Sequence, residues 1–529
     1  MKHLYSWIFF LVLAPITLLA NNLQIDSVSA TVSTVTFQLS WDNSWNINNL
    51  SRDAAWVFVK YQDCGSANKS WDHLDLSTSS GSHSVTGGLL QVDAVTDGKG
   101  VFIYRSGFGG GNNPTASVTL TFGTAFADIS QVNFDVVGIE MVYVPQGSFI
   151  AGDGVSNSSF GTNGTNVPNT ITSEGSIAAD GLASTTAYNW DWANKHPAIP
   201  AEFPKGYAAF YCMKYEITQA QYVHFLNLLP AAHQAVRTAV APGSATKSEA
   251  MTTASIPYTY RNYIQIKTPA AGGPPLNPAV YGMNRNNNST FDEVDDGGNI
   301  ACNFLSWTDL LAYLDWSGLR PMTELEFEKS CRGPASAGPF PDQIYAWGNI
   351  NLSQATNQWD DGWRISNPGR PDEISGQAGD GLCPYSIDNN VSGPFRVGFA
   401  AKSGTSRAQA GATYYGILDM SGNVAEQCYH IGRIHNEGNP GLGPMTMTAG
   451  FQGTLGDGTL NSNGEADQAS WGSPLVDYRE SILRGGDFAN DWSQLRVSMR
   501  YYLHPRMEWN GPQTNNRWYY VGGRGVRQF

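Results

Sequence analysis

The first part of the chain alternates hydrophobic and polar residues in the way that β-strands do. Apolar residues two positions apart place a hydrophobic row on one face of a predicted strand: Val35, Phe37, Leu39 and Trp41. Similar apolar runs, separated by turns rich in Gly, Asn, Asp and Ser, occur at 56–61, 101–104 and 118–122. Short strands with this punctuation are typical of an antiparallel β-sandwich, which we predict for residues 21–137.

After residue 138 the period changes from that of strands to that of helices. Three short amphipathic helices are predicted, each opened by a capping box, at Thr218, Ser306 and Thr323. Long segments rich in Gly, Asn, Ser and Thr lie at 151–195, 232–300 and 436–478. We expect these segments to be too polar for a core and to form a binding surface. The two patterns together predict an α+β protein with a second domain at 138–529.

The first twenty residues have the layout of a secretory signal peptide. Lys2 precedes an apolar run from Trp7 to Leu19, and Ala20 precedes a polar segment. The run is shorter than the ~18 residues that an uncleaved membrane anchor needs, so we predict cleavage after Ala20. No later segment is apolar enough to span a bilayer. We therefore expect an exported protein, in the periplasm, at the cell surface or outside the cell.

The composition of the chain argues against nucleic-acid binding and against intrinsic disorder. The net charge is −14 and charged residues make up only 14% of the chain. Such an acidic chain has no general attraction for phosphate backbones, so we expect no nucleic-acid partner. Hydrophobic residues at 41% and aromatic residues at 12% supply enough apolar surface for a core, which argues against intrinsic disorder.

Six cysteines are spread along the chain without a CxxC pair: Cys64, Cys212, Cys302, Cys331, Cys383 and Cys428. Export would allow disulfides, and the spacing does not select one pairing. Buried free thiols are the alternative.

Seven motifs in the second part resemble, in order, those of the formylglycine-generating enzyme (sulfatase-modifying factor) domain family. They begin with MVYVPQGSF at 141–149 and continue at 215–222, 320–328, 345–349, 415–426, 483–486 and 525–527. The resemblance implies a variant of the C-type lectin fold with long loops. The first part also resembles the β-sandwich that precedes this domain in exported proteins of the Bacteroidota.

The same resemblance implies two structural calcium sites. The first would use the side chains of Asp419 and Glu426 with the carbonyls of Gly422 and Val424. Two carboxylates around a glycine turn suit a hard cation independently of family, although turn and capping chemistry without metal is the alternative. The second site would fall on four less acidic residues: Asn357, Gln358, Asn389 and Val391.

The family's oxidases bind copper through two cysteines five positions apart, after the Arg-Gly-Gly motif. The matching positions here are Asn490 and Leu495, and no cysteine follows Cys428. Neither residue can replace a soft thiolate ligand. We therefore expect no copper and no catalytic residue of the family type, and we lean towards a protein that is not an enzyme.

The remaining features favour binding over catalysis. Six tryptophans lie in or near Gly/Asn-rich loops, where they could stack on sugars or anchor proteins, although core packing is the alternative for each: Trp359, Trp363, Trp471, Trp492, Trp509 and Trp518. Four late arginines are expected to pair with core carboxylates: Arg484, Arg496, Arg500 and Arg527.

We interpret the chain as an exported binding or assembly protein that engages glycans, a cell-surface or secretion complex, or its own copies. Relatives that lack the cysteine pair include components of gliding and type IX secretion machinery. One alternative is an oxidase with a changed metal site that uses His430, His435 or His504. The other is a structural surface or filament subunit.

Overall fold

A computed structural model of the protein describes most of the chain after the predicted signal peptide, residues 1–20, which lies outside the described residues. The described ranges are 22–48, 50–66, 70–156, 159–185, 196–252, 259–272, 277–338, 342–355, 366–387, 393–435, 445–447, 450–471, 481–500 and 517–529. Within these ranges, no helix has the length and apolar character to cross a membrane.

Nine strands make up the first part of the fold. They are β1 (Gln24–Ala30), β2 (Thr34–Asn46), β3 (Asp53–Asp63), β4 (Trp71–Leu74), β5 (Ser84–Val85), β6 (Leu90–Ala94), β7 (Val101–Arg105), β8 (Gly109–Thr121) and β9 (Val132–Val144). The predicted alternation is confirmed in β2, where Val35, Phe37 and Leu39 are buried and the residues between them are partly exposed.

Two sheets of these strands pack face to face, as predicted. One sheet has the order β1-β2-β8-β5, and the other includes β9, β3, β7 and β6 in that order. Apolar side chains from both sheets form one core between them, including Phe37, Val57, Ile103 and Leu120. This is the β-sandwich core that the period of two indicated.

The second part contains the helices and many short strands. They are β10 (Phe149–Ala151), β11 (Asn169–Ile171), β12 (Phe210–Met213), α1 (Gln219–Asn227), α2 (Ala231–Arg237), β13 (Ile264–Thr268), β14 (Val280–Met283), α3 (Trp307–Trp316), β15 (Arg320–Pro321), α4 (Glu324–Arg332), β16 (Ser353–Ala355), β17 (Leu382–Pro384), β18 (Ala425–Tyr429), β19 (Arg433–His435), β20 (Met445–Met447), β21 (Ser481–Arg484), β22 (Val521–Gly522) and β23 (Gly525–Arg527). With the sandwich, they confirm the α+β class.

The three predicted helices are α1, α3 and α4. Thr218, Ser306 and Thr323 cap them, and each cap accepts a hydrogen bond from the backbone of the third helical residue, whose side chain accepts from the cap in return. Helix α2 was not predicted, because its cap is Pro230, which offers no side-chain acceptor.

One sheet runs through both parts of the chain. Its order is β15-β23-β12-β9-β3-β7-β6, with β4 also paired to β3. Strand β9 pairs with β3 of the sandwich along one edge and with β12 of the second part along the other. The predicted boundary at residue 137 lies inside β9, so the backbone hydrogen bonding continues across it.

Buried polar contacts also join the two parts. The indole Nε1 of Trp56 donates to the carbonyl of Ser317 at 2.9 Å, and the Arg527 guanidinium lies 4.2 Å from the centre of the same indole. Buried Lys60 donates to the carbonyls of Trp316 and Gly458 at 2.7 and 2.6 Å. Because these groups have lost water, each contact is needed to keep a buried polar atom satisfied.

The expectation that the three polar segments stay out of the core is wrong. Each segment contributes buried side chains to the main core, such as Phe160, Ile264 and Phe451. Single apolar residues in a polar segment form no periodic pattern, so their burial could not be predicted from the sequence. In the structure these residues anchor the segment to the core. The cysteines are free thiols in the structure, and all except Cys64 are buried.

Candidate functional site

The first predicted calcium segment forms a tight turn that leads into β18. Asp419 and Asn423 have positive φ angles of 61° and 67°, and Gly422 has a φ of 91°. A side chain at Gly422 would meet the carbonyl of Pro384 at 2.9 Å, so only glycine fits this close approach. Asp419 Oδ2 accepts from the backbone N–H of Gly398 at 2.5 Å. The turn therefore holds Asp419 to Asn423 in a compact conformation just before β18, which carries Glu426.

Glu426 lies in β18 and is buried. Its Oε1 accepts from Arg524 Nε at 2.8 Å, and Arg524 Nη2 is 2.7 Å from the same oxygen. Its Oε2 is buried and has no hydrogen-bond partner. An unpartnered carboxylate oxygen is costly in an interior, and a hard cation would satisfy it.

A third carboxylate, Glu216, faces the same turn. It accepts from Asn423 Nδ2 at 2.6 Å and from the backbone N–H of Val424 at 3.0 Å. Glu216 belongs to the motif at 215–222, and no metal or catalytic role was predicted for it. Its position two residues before a cap was a visible signal, but its partner lies 207 residues away in the chain.

The charges of this cluster are not balanced. Burial raises the pKa of Glu216 well above its usual range, and the nearby charge of Asp419 raises it further. Burial also raises the pKa values of Asp419 and Glu426, and Arg524 opposes the shift in both groups. Protonation or a nearby cation would relieve these carboxylates, and the unpartnered Oε2 of Glu426 is the oxygen that a calcium ion would satisfy.

The second predicted calcium set lies outside the described residues. These are Asn357, Gln358, Asn389 and Val391.

Two groups of three carboxylates with oxygens within 4.8 Å of one another occur among the described residues, and Asp419 and Glu426 belong to neither.

The two positions predicted to match the family's copper-binding cysteines have structural roles. Asn490 donates from Nδ2 to Asp487 at 2.6 Å, and its backbone N–H donates to the same carboxylate at 3.0 Å. Leu495 is fully buried in a core cluster and packs closely against Gly486 of the Arg-Gly-Gly motif. The pair therefore closes a turn and fills the core, and offers no soft ligand.

An exposed aromatic side chain lies between these two positions. Trp492 is 45% exposed, and the guanidinium of Arg496 lies 4.8 Å from the centre of its ring. Asp491 caps the short 3₁₀ turn Trp492–Leu495 through the N–H of Ser493. The loop thus presents an indole among polar groups, beside a small cleft lined by Gly486, Asp487 and Gln494.

Of the other tryptophans predicted to contact a ligand, two lie in or against the core and three lie outside the described residues. Trp471 is buried in the main core, and Trp518 is partly buried against a small cluster. Trp359, Trp363 and Trp509 lie outside the described residues. Among the described members of the set, Trp492 is the one exposed enough to meet a ligand.

Two of the late arginines pair with a core carboxylate, as expected: Arg484 and Arg500 both bind buried Glu324. Arg527 binds Asp97, which is an exposed residue. Arg496 instead lies over Trp492.

The structure describes the side chain of one of the three histidines proposed for an altered oxidase site. His430 is buried, with Nε2 at 4.0 Å from Glu324 Oε1. The side chain of His435 and all of His504 lie outside the description.

The family described as the sulfatase-modifying factor enzyme 1-like domain matches residues 137–511. This is more than half of the chain. The chain belongs to this family. A search of curated proteins found no match.

Within the sulfatase-modifying factor family, this chain has Asn490 and Leu495 at the positions predicted to match the copper-binding cysteines. Asn490 and Leu495 follow an intact Arg-Gly-Gly motif at residues 484–486. The turn geometry around Gly486, which packs against Leu495, is held by hydrogen bonds that need no thiol, such as that from Ser421 Oγ to the Leu495 carbonyl at 2.7 Å.

Proposed function

We propose that this chain is a non-catalytic, exported binding member of the sulfatase-modifying factor family. The observation that carries the proposal is the burial of Leu495 in the core, together with the use of the Asn490 amide to close a turn. Copper(I) chemistry needs soft ligands, and an amide and an alkyl group cannot supply them. Binding remains a function that the domain can perform with its loops.

The ligand class that we favour is a neutral glycan, bound on the loop of Trp492. The exposed indole offers an apolar face for a sugar ring, and the surrounding Asp491, Ser493 and Gln494 offer hydrogen-bonding groups for hydroxyls. Arg496 beside the ring restricts its motion, which lowers the entropy lost on binding.

Replacing Trp492 with alanine should weaken glycan binding without unfolding the protein. The test is a glycan array on the purified mature protein, followed by titration with the strongest neutral oligosaccharide that binds. We expect a loss of at least about tenfold in affinity, since aromatic anchors of this kind contribute about 2 kcal/mol or more.

Phe108→Ala is the matched control, because Phe108 is 70% exposed on the sandwich. Equal binding by the Trp492→Ala and Phe108→Ala variants would contradict a site at Trp492. Copper at one equivalent in the wild type, or oxygen consumption with a thiol peptide, would overturn the non-catalytic proposal itself.

We also propose that calcium occupies the turn of Asp419, Gly422, Val424 and Glu426. The ion would be structural: it would neutralise buried carboxylates and hold β18 against the segment that carries Arg524. The support is the unpartnered Oε2 of Glu426 and the three carboxylates with raised pKa values.

The stabilisation by calcium should grow with pH. Carboxylates whose pKa values are raised in the folded state stabilise it while protonated, and this contribution is lost as pH rises through the raised values. In EDTA, the melting temperature should therefore fall as pH rises above the ordinary carboxyl pKa of about 4, and calcium should restore it. The increase with calcium at 100 times its Kd corresponds to about 2.7 kcal/mol.

Thermal melts in calcium and in EDTA across this pH range measure the effect. Asp419→Asn should remove most of the calcium-dependent increase, whereas Asp72→Asn, an exposed sandwich residue, should leave it unchanged. A calcium-dependent increase that is the same at every pH would contradict this assignment.

A further inference from the structure

A lysine and two carboxylates meet in the interior where the sandwich joins the second part. Lys214 Nζ lies 3.2 Å from Glu140 Oε2 and 3.7 Å from Asp53 Oδ2, and the three side chains are only 3%, 4% and 1% exposed, in that order. These distances are close to the roughly 3–3.5 Å that separates reacting groups before a bond forms. The group belongs neither to the turn of Asp419 nor to the loop of Trp492.

The shared sheet brings these three side chains together. Glu140 lies on β9, directly opposite Ala55 of β3, and the N–H of Lys214 donates to the carbonyl of Glu140 at 2.9 Å. Residues directly opposite on neighbouring strands point to the same face, and so do residues two apart on one strand. Asp53, two residues before Ala55, therefore shares a face with Glu140. Lys214 reaches both carboxylates from the other side of β9.

Aromatic rings flank the lysine. Its Nζ lies 4.8 Å from the centre of the Trp45 ring and 5.6 Å from the centre of the Tyr215 ring. A site that excludes water protects an amide, once formed, from hydrolysis. The pair of Lys267 and Asp292 is just as close, at 2.9 Å, but its side chains are 43% and 21% exposed.

Three hydrogen bonds fix and polarise the carboxyl group of Asp53. Ser44 Oγ and the Trp45 N–H donate to its Oδ1 at 2.7 and 3.0 Å, and Trp41 Nε1 donates to its Oδ2 at 3.1 Å. Donors on both oxygens stabilise the negative charge that develops there when a nucleophile attacks the carboxyl carbon. Asp53 is therefore the better target for the amine, whereas Glu140, which lies nearer to the amine, is placed to carry protons.

We propose that Lys214 and Asp53 form an intramolecular isopeptide bond, with Glu140 as the catalytic proton carrier. Glu140 accepts a proton from the Lys214 ammonium group, and the neutral amine attacks Cγ of Asp53 to form the C–N bond. Glu140 then returns its proton to an Asp53 oxygen, the C–O bond breaks, and a second hydrogen from the nitrogen leaves with that oxygen as water. Two ammonium hydrogens and one carboxyl oxygen are lost, Glu140 ends as it began, and the balance needs no further reactant.

The bond would fasten the sandwich covalently to the second part. Asp53 lies in β3, and Lys214 directly follows β12. Disulfides do not make this connection, because all six cysteines are free thiols. A cross-link between residues far apart in the chain restricts the unfolded state and so lowers the entropy gained on unfolding.

The test is mass spectrometry of the purified mature protein, intact and after digestion with trypsin. The intact wild type should be lighter than its sequence requires by one water molecule. Peptide 53–60 should be found joined to peptide 206–237, without cleavage after Lys214. An intact mass equal to that of the sequence, with free peptides 53–60 and 206–214, would overturn the proposal. A bond from Lys214 to Glu140 would also overturn it.

Two variants separate the roles of the lysine and the glutamate. Lys214→Arg keeps the positive charge between the carboxylates but has no amine to form the bond, and Glu140→Gln keeps the side-chain size but cannot carry protons. Both should have the unmodified mass, with circular dichroism spectra like that of the wild type. Lys267→Arg is the matched control, since it removes a lysine close to an exposed carboxylate, and it should still lose one water. Complete loss of water in Glu140→Gln would contradict its role as the proton carrier.

Discussion

Replacing Glu324 with glutamine should destabilise the protein by about 3–5 kcal/mol, or prevent it from folding. Glu324 is fully buried at the start of α4, where Arg500 Nε donates to it at 2.6 Å and Arg484 Nη1 at 3.3 Å. Glutamine would remove the buried negative charge that both guanidinium groups contact, although Arg484 would keep its pair with Glu328 at 2.7 Å. Urea denaturation followed by circular dichroism measures the loss.

The pH dependence of this contribution has a definite sign. The charge of Arg500 opposes the effect of burial and lowers the pKa of Glu324 to about 2. A depressed pKa stabilises the folded state above the unfolded value of about 4.3, and the contribution is lost as pH falls from there towards 2. The wild type should therefore lose stability over this acidic interval more steeply than the Glu324→Gln variant.

Asp372→Asn is the control for a carboxylate in an exposed pair. Asp372 lies 3.4 Å from Arg370, and both side chains are largely exposed. Exposed pairs contribute about 0–1 kcal/mol, so this variant should match the wild type closely. A loss for Glu324→Gln no larger than that for Asp372→Asn would mean that the arginines find other partners.

Replacing Trp56 with alanine should cost about 3–5 kcal/mol and should destabilise both parts of the protein together. Trp56 is fully buried in β3, its Nε1 donates to Ser317 of the second part, and Arg527 lies over its ring. The change leaves a cavity, an unpaired carbonyl and an unsupported guanidinium. Differential scanning calorimetry should show one transition in the wild type and one transition, at lower temperature, in the variant.

Trp492→Ala is the matched control for loss of a tryptophan. Because Trp492 is exposed, its removal should change stability by no more than about 0.5 kcal/mol. Two separate transitions in the Trp56→Ala variant, with the second at the wild-type temperature, would show that the sandwich and the second part unfold independently.

Local structure could be predicted where the signal is local. The capping boxes at Thr218, Ser306 and Thr323 lie within four residues of sequence, and all three helices begin there. The alternation of β2 likewise needs only its own residues. Helix α2 could not be predicted because Pro230 gives no side-chain cap, and the buried residues of the polar segments are too isolated to show a period.

The candidate site could be predicted only in part, for the same reason. The motif around Gly422 identified Asp419, which lies on the turn, and Glu426, which lies in the strand that follows. The neighbours that set their charge, Glu216 and Arg524, come from segments about 200 and 100 residues away, brought together by the fold. Sequence spacing carries no information on such partners, so neither the unpartnered Glu426 oxygen nor the charge imbalance could be foreseen.

The position of β23 in the shared sheet bears on how the chain folds during synthesis. Residues Gly525–Arg527 form an inner strand, paired with β15 on one side and with β12 on the other. This segment leaves the ribosome after nearly every other strand. The sandwich strands can therefore pair early, whereas β12 and β15 have no β23 to pair with until residues 525–527 have been synthesised. The second part must therefore complete its sheet after translation of residue 527, and a stop codon a few positions earlier would leave two strand edges open and prone to aggregation.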